Sequence, residues 1–358
     1  MMIATSEDLQ RVAERVAGAD AIGLDTEFMR ERTYRAELCL LQISAAGIFC
    51  CVDPILLTDL EPLRKALNAS GAVKVLHAAR QDLEVLHPVV GAIGPVFDTQ
   101  IAAALAGYAA QVGYGELVRV VLEKELPKAH TRTDWSRRPL SPEQVEYAID
   151  DVRYLDPLRE QLLGKIKALG RSDWLAEELA AFADPSILSV DPDRAWLRVK
   201  SLQGLDPART GLARSLAAWR ERRAIARNRP RGWILDDAVM REIVFRVPRT
   251  RADLTDVAEM PDGVIKHSGD ELLELIDAAR IPDPAPPLPR RERPDPTVLA
   301  TLKRLADLVQ RRATELALAT ELLATRRDLE SLVRGDPDTV VLQGWRREVI
   351  GEALRAAL

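Results

Sequence analysis

Short apolar runs of strand length fall at residues 22–28, 38–44, 48–52, 73–77 and 96–97. Between them, apolar side chains recur every three or four positions at 58–69, 80–88, 99–107, 115–123 and 142–168, the spacing of helices that pack by one face. "SAAGIF", between the second and third runs, reads as a hairpin turn, so those two strands are expected to be antiparallel. Helix 142–168 has a marked start: Ser141 as N-cap, Pro142 at the first helical position and Gln144 placed for a capping box. Residues 1–190 therefore predict an α/β domain, a mixed sheet flanked by helices. After "FADPSILSVDPDRAW" the strand pattern stops. Residues 205–285 read as helical, "IPDPAPPLPRRERPDP" is too rich in proline for an element interior and reads as a linker, and 294–358 is helical again, with Leu302, Leu305, Leu308 and Val309 at helical spacing. Two small all-α domains of similar length are thus expected after the sheet domain. They share little identity, but a duplicated module fits the pattern.

One strand breaks its own pattern. In "AIGLDTEFMR" (residues 21–30) Asp25 and Glu27 sit two apart, on one face of an otherwise apolar strand. Asp82, in "KVLHAARQDLEVL", opens the helix after the fourth strand. Asp151, in "EQVEYAIDDVRYL", lies one helical turn after Tyr147 on the same face. Taken singly, Asp82 reads equally well as an acid at a helix N-terminus, Asp151 and its neighbour Asp150 as solvated helix residues, and Asp98 as an N-cap. The Asp25/Glu27 pair has no common structural use. A fold that gathers Asp25, Glu27, Asp82 and Asp151 holds about four negative charges together, which calls for cations. Hard divalent ions take oxygen ligands, and two of them clamp the attacking and leaving oxygens of a phosphodiester displacement. A phenol beside them would orient the nucleophile or help to take its proton.

Composition narrows the class. The 358 residues, 47% hydrophobic and 29% charged, are those of a soluble globular chain, with no apolar run of membrane-spanning length and a charged first helix unlike a signal peptide. Cys39, Cys50 and Cys51 have no CxxC spacing and are expected as buried thiols in a reducing, cytoplasmic setting. Residues 1–200 carry 23 basic and 30 acidic side chains, a net −7, against +1 in each of 201–290 and 291–358. The acidity is concentrated where the carboxylates lie.

"LDTEF", "KVLHAARQDLEVL" and "YAIDDVRYL", in that order, resemble the three exonuclease motifs of the DEDD superfamily, and Tyr147 four residues before Asp151 marks the tyrosine subgroup. "LCLLQIS", "FDTQIAAALAGY" and "TDWSRRPLSPEQVEYA" resemble the ribonuclease D family, so the likeness runs over residues 1 to about 180. It implies a ribonuclease H-like fold and a 3′→5′ exoribonuclease that releases 5′-mononucleotides with two divalent ions, Mg²⁺ or Mn²⁺. It makes Asp25, Glu27, Asp82 and Asp151 the metal ligands and Tyr147 the water-positioning group. Thr26 matches a position whose backbone meets the terminal nucleotide. The implied partner is RNA with a free 3′ end, transfer RNA precursors being the family's usual substrate; no protein partner is indicated. "LAAWRERRAIARNRPRGWILDDAVMREIVFRVPRTRADL" resembles the HRDC domain. Residues 294–358 lack the "RNRP" pattern, and a second, HRDC-like domain there follows only from length and ribonuclease D architecture.

Two basic segments are candidate RNA contacts. One is the run Arg220, Arg222, Arg223, Arg227, Arg229 and Arg231; the alternative is a solvated helix face. The other is the loop before helix 142–168, with Lys128, Arg132, Arg137 and Arg138 around His130, which reads also as a plain surface connection. His77 and His87 lack zinc spacing, and His77 is expected to be structural. With 4% aromatics, extended base stacking is not the main binding mode. The competing functions are a DNA 3′→5′ exonuclease of the same superfamily and a non-catalytic nucleic-acid-binding scaffold. The scaffold predicts at least one eroded site position, and none is eroded. All five site residues precede residue 190, so a chain ending near residue 195 is expected to keep its turnover on short strands.

Overall fold

The computed structural model describes residues 1–69, 71–127, 133–202, 205–279 and 295–358. Six strands form one sheet in the order β1-β4-β3-β2-β5-β6: β1 (Met2–Ile3), β2 (Ala21–Met29), β3 (Glu37–Ala45), β4 (Ile48–Val52), β5 (Val73–Leu76) and β6 (Val96–Asp98). The expected hairpin is present: β3 and β4 pair antiparallel with Ala45 opposite Ile48. The two residues between them, Ala46 (φ 46°) and Gly47 (φ 80°), are both left-handed, as a two-residue hairpin turn of matching twist demands. β1 is two residues long, too short for any periodic signal, and pairs parallel with β4. β2 and β5 also run parallel, Ala21–Gly23 beside Val73–Val75, and so deliver their carboxyl ends to the same edge of the sheet. That edge is where open α/β sheets place their sites.

Helices cover the sheet: α1 (Ser6–Ala17), α2 (Glu61–Ala69), α3 (Arg80–Val90), α4 (Thr99–Leu105), α5 (Tyr114–Leu122), α6 (Pro142–Arg153), α7 (Leu155–Ala168) and α8 (Ser172–Ala180). In α1, Leu9, Val12, Ala13 and Val16 are buried, one face at helical spacing, and they join Ile22, Leu24, Leu63 and Leu86 in one core. The single helix expected over 142–168 is two helices broken at Tyr154 (φ −109°, ψ 5°). Pro157 explains the break: it has no N–H for the carbonyl of Arg153, and its ring crowds that carbonyl. The capping box at Ser141 and Gln144 forms as expected.

The chain divides into two compact units. One comprises Met1–Met29, Leu38–Leu188 and Pro294–Leu358; the other comprises Arg30–Glu37 and Ser189–Arg293. The second unit is helical: α9 (Pro207–Arg227), α10 (Arg231–Ile234), α11 (Asp237–Arg246), α12 (Arg251–Thr255) and α13 (Asp262–Ala278) close around Trp196, Leu216, Ile243, Val244, Leu272 and Ile276.

The C-terminal helices α14 (Pro296–Leu316), α15 (Thr320–Leu323) and α16 (Arg326–Val333) and a last helical run over 344–356 belong to the sheet-bearing unit. Leu302, Leu305, Val309, Leu329 and Leu354 share one core with Val75, Phe97, Ala103, Leu158 and Leu175. The Trp345 ring stacks on Trp174 at 4.6 Å, and Arg171 donates to the carbonyls of Leu105 (2.6 Å) and Leu316 (2.5 Å). This core bears directly on the expectation for a chain ending near residue 195. Such a chain loses half of that core and lays the apolar faces of α4, α7 and α8 open to water.

α9 and α14 both run 21 residues and begin 89 residues apart. The left-handed caps Asn228 (φ 47°) and Ala317 (φ 50°) have the same spacing, as do the extended residues Leu235 and Ala324 that end α10 and α15. One backbone plan is thus used twice with little shared sequence.

Candidate active site

Asp25 and Glu27 stand on the last turn of pleat of β2, the central strand, beyond its paired stretch with β5. Gly23, just before them, must lack a side chain: a Cβ there would meet Ser44 Oγ at 2.2 Å. That hydroxyl donates to the Val152 carbonyl (3.0 Å), fastening β3 to α6. Asp82 arrives from β5. The backbone turns at Ala78 (φ 59°), and buried Asp98 accepts from the N–H groups of Ala78 (3.1 Å) and Ala79 (2.8 Å) while also capping α4. Asp98 is therefore the N-cap its sequence context suggests. The turn starts α3 at Arg80, with Asp82 in its first turn, where Thr26 Oγ1 donates to Asp82 Oδ1 (2.5 Å).

Tyr147 and Asp151 come from α6, one turn apart and hydrogen-bonded to each other. The end of α6 is pinned by Tyr114, whose hydroxyl donates to the Asp150 carbonyl (2.9 Å) and accepts from Tyr154 N–H (3.2 Å). His77 is structural, its ring nitrogens bonded to Thr99 Oγ1 (2.8 Å) and the Val112 carbonyl (2.9 Å). A cavity of about 390 Å³ opens beside this helix, lined by Tyr114, Glu116, Arg119, Leu126, Tyr147 and Asp151.

The electrostatics state the chemistry. Burial lifts the Asp25 carboxyl well above its usual range, and the charges of Asp82, Asp151 and Glu27 add to the effect. Glu27 is pushed to about 8 by burial, then by Asp151 and Asp82. Asp151 is pushed to about 7 by burial, against the hydrogen bond from Tyr147, and Asp82 to about 6 by burial, against the bond from Thr26. The Tyr147 phenol is raised by burial and then by Asp151 and Glu27. Four acids, Asp82 buried and the others half-buried, thus share one electrostatic site, and among the described residues no lysine or arginine is a cause of their shifts. Among the described residues, no three His, Cys, Asp or Glu side chains already form a cage for one ion. Hard oxygen donors, largely withdrawn from water and without a described counter-charge, fit divalent ions.

Residues 1–167 match the family model described as a 3′-5′ exonuclease, and residues 209–276 match the HRDC domain. A ribonuclease D of Acidiphilium cryptum is 39% identical over 365 residues, covering 99% of this chain and 92% of its own. One of Pseudomonas paraeruginosa is 38% identical over 347 residues, covering 94% and 92%. The chain belongs to the ribonuclease D family. The solved structure of Escherichia coli RNase D, an exoribonuclease involved in structured RNA processing, superposes with a TM-score of 0.86 at 30% identity, over 100% of this chain and 98% of that one. As a ribonuclease D relative with an intact exonuclease domain, the chain is a hydrolytic 3′→5′ exoribonuclease, and the family is divalent-metal dependent.

The candidate RNA contacts divide. Arg220 is buried (4% exposed), its guanidinium fixed on the Leu235 carbonyl (2.9 Å) and Asp237 (2.5 Å), so it holds its own unit together. Arg223 is ion-paired with Glu271 and lies over the Trp219 ring. Arg227 is exposed and lines a concavity of about 280 Å³ with Arg223, Trp233 and His267. Arg137 is exposed and paired with Asp134 (3.0 Å). Lys128, with His130 and Arg132, lies outside the described residues. Sequence reasoning missed Tyr114 and Trp135. Trp135 stood in the sequence as a lone large apolar residue in a polar loop, "TDWSRRPL", and it is 5% exposed.

Proposed function

We propose that Asp25, Glu27, Asp82 and Asp151 hold two divalent cations, Mg²⁺ or Mn²⁺, and that Tyr147 holds the attacking water on the 3′-terminal phosphodiester. The observation that carries this is a set of four acids, buried or half-buried and all raised chiefly by burial, with no lysine or arginine among the described residues offsetting the shifts. When bound, the ions lower the pKa of water and neutralise charge on the attacking and leaving oxygens. The protein's own part is placement. Thr26 donates to one Asp82 oxygen and so aims the other at the site. The phenol, its proton held by burial and the neighbouring acids, orients water as a neutral donor and acceptor rather than as a base. The cavity beside Tyr147 and Asp151 receives the terminal nucleotide, with the Thr26 backbone against it.

The substrates are RNAs with a free 3′ end, transfer RNA precursors among them, and the protein works in the cytoplasm; among the described residues no helix is long and apolar enough to cross a membrane. Residues 205–285 and 294–358 act as an HRDC domain and a diverged second copy, a reading supported by their common 89-residue spacing. Arg223, Arg227 and Arg137, with Lys128, supply phosphate contacts.

The test is a time course on 5′-labelled RNA and matched DNA, with Mg²⁺, with Mn²⁺ and with EDTA. Stepwise shortening of RNA that EDTA stops is expected, with DNA a poorer substrate. Asp25→Asn is expected to abolish cleavage in a folded protein, and near-normal turnover of that variant at saturating metal would end the ligand assignment.

A further inference from the structure

Beside Tyr147, the loop before α6 folds into a small apolar core against which the phenol packs. Trp135 is 5% exposed and packs in a small core with Cys39, Leu40, Cys51, Ala148 and Ile149. Its indole lies nearly parallel to the phenol ring, with centroids 6.2 Å apart and planes at 25°. Asp134 folds the loop that carries Trp135 on itself, accepting from Ser136 N–H (3.1 Å) and Arg137 Nε (3.0 Å), and Arg138 ties it to the sheet. Arg138 donates from Nη1 to the carbonyls of Trp135 (2.7 Å) and Arg137 (2.8 Å) and from Nη2 to the Cys39 carbonyl on β3 (2.6 Å). It also grips Asp53 with two bonds, Nε to Oδ2 (2.5 Å) and Nη2 to Oδ1 (3.0 Å). Asp53 itself is 1% exposed and follows β4, where its Oδ1 accepts from the N–H groups of Ile55 (3.0 Å) and Leu56 (3.2 Å). A planar, five-donor guanidinium is suited to such a junction, and an ammonium is not.

We infer that Trp135, held in place by the Arg138–Asp53 pair, is a positioning residue that fixes the plane of the Tyr147 phenol for its work on water. A phenol has a free torsion about Cα–Cβ and another about Cβ–Cγ. α6 fixes only where the side chain starts, and the indole face limits the second torsion by contact. The sheet thus sets the angle of a group carried on a helix. Misplacement of such a group by about 1 Å lowers turnover by as much as 10²-fold. Trp135 and Asp53 are 5% and 1% exposed and offer RNA almost no surface, so loss of the support should leave RNA affinity alone.

This inference rests on the water-positioning role of Tyr147, and a double-mutant cycle separates the two. Single-turnover rates and KM on a short RNA at saturating metal are measured for Tyr147→Phe, Trp135→Leu, the double variant, Trp135→Phe and Arg138→Lys. Trp135→Leu is expected to lower kcat about 10-fold with KM unchanged, and to lower it less than 2-fold when Tyr147 is already Phe. Trp135→Phe, which keeps a flat face, is expected to recover most of the rate. A second readout needs no activity: in metal-free protein made with 3-fluorotyrosine, the ¹⁹F resonance lost in Tyr147→Phe is expected to shift in Arg138→Lys, because ring-current shifts fall steeply with indole distance. Equal fold-losses from Trp135→Leu in both backgrounds, or an unmoved resonance in Arg138→Lys, would overturn the inference. Full turnover in Tyr147→Phe would instead overturn the role of the phenol itself.

Discussion

Acids withdrawn from water in the two units of this molecule have opposite fates. In the helical unit, Glu221 is 1% exposed, and burial alone would raise its carboxyl. Arg231 reaches it with two bonds, Nε at 2.6 Å and Nη2 at 2.8 Å, the Tyr34 hydroxyl donates to the same carboxylate, and Arg220 lies close. The carboxyl ends below its ordinary value. In the sheet-bearing unit, Asp25, Glu27, Asp82 and Asp151 are lifted chiefly by burial, Asp25 and Glu27 also by the other acids, and among the described residues no lysine or arginine offsets the shifts. The chain knows how to satisfy a buried acid and does not do so at the carboxyl edge of its sheet. An internal arginine there would settle the charge and close the site to metal. On the proposed metal assignment, bound cations would relieve that repulsion.

Removing the counter-charge in the satisfied group has the largest expected effect on stability. Arg231→Met leaves Glu221 buried and unpaired and should destabilise the helical unit by about 3 kcal/mol, the low end for a broken buried pair because Arg231 keeps part of its side chain in water. Glu221→Gln added to it should restore much of the loss. Asp25→Asn in metal-free protein should move the other way and raise the melting temperature at alkaline pH, where the parent carboxyl ionises and the variant carries no repelling charge. Thermal melts of the three variants in EDTA compare the two groups directly. If Arg231→Met melted like the parent, Glu221 would not depend on its internal partner and the contrast would fail.

The pH dependence has opposite signs at the two groups and is smaller. A carboxyl whose folded pKa is raised binds more protons when folded. The stability it lends is full below the ordinary carboxyl range near 4 and disappears as pH climbs through the folded values, about 6 for Asp82, 7 for Asp151 and 8 for Glu27. Glu221 is lowered, so its contribution is present above the ordinary range and is lost only in acid. In EDTA, the sheet-bearing unit should melt several degrees lower at pH 8 than at pH 5, and Mg²⁺ should abolish the difference by replacing the protons. A slope that persisted unchanged in Mg²⁺ would mean that the ions do not bind these carboxylates.

Which of these features could be read in the sequence follows from how local their causes are. Asp25 and Glu27 stood out because two same-face acids in an apolar strand conflict with burial within three residues of chain. The capping box at Ser141 is equally local. Pro157 was visible too, but the apolar spacing over 142–168 concealed the break at Tyr154. The partners of Glu221 were out of reach: Tyr34 lies 187 residues away in sequence and joins the helical unit by way of the segment Arg30–Glu37. For the same reason Arg220 looked like one more member of a basic cluster, when its position on α9 aims it inward at Leu235. The repeated helical plan was hidden because turn geometry recurs at 89 residues while side chains do not: Arg220 stands where Val309 stands in the second copy, and Arg227 where Leu316 does.

The smallest expected effect sharpens the contrast between arginines that hold the helical unit and those that could hold RNA. Arg220 and Arg231 are committed to internal partners. Arg227 is exposed, with no acid in ion-pair reach among the described residues, beside Trp233, which is 60% exposed. Arg227→Gln should leave melting unchanged and should flatten the slope of log K against log[salt] by about 0.7, one phosphate contact on a single strand. Trp233→Ala should weaken binding by a similar amount at every salt concentration, because stacking on a base releases no counterion. Binding isotherms at four salt concentrations on one single-stranded RNA separate the two. An unchanged slope in Arg227→Gln would assign this face to solvent, and a changed slope in Trp233→Ala would mean that the indole serves only to hold nearby Arg229, which lies over its ring at 5.8 Å, against a phosphate.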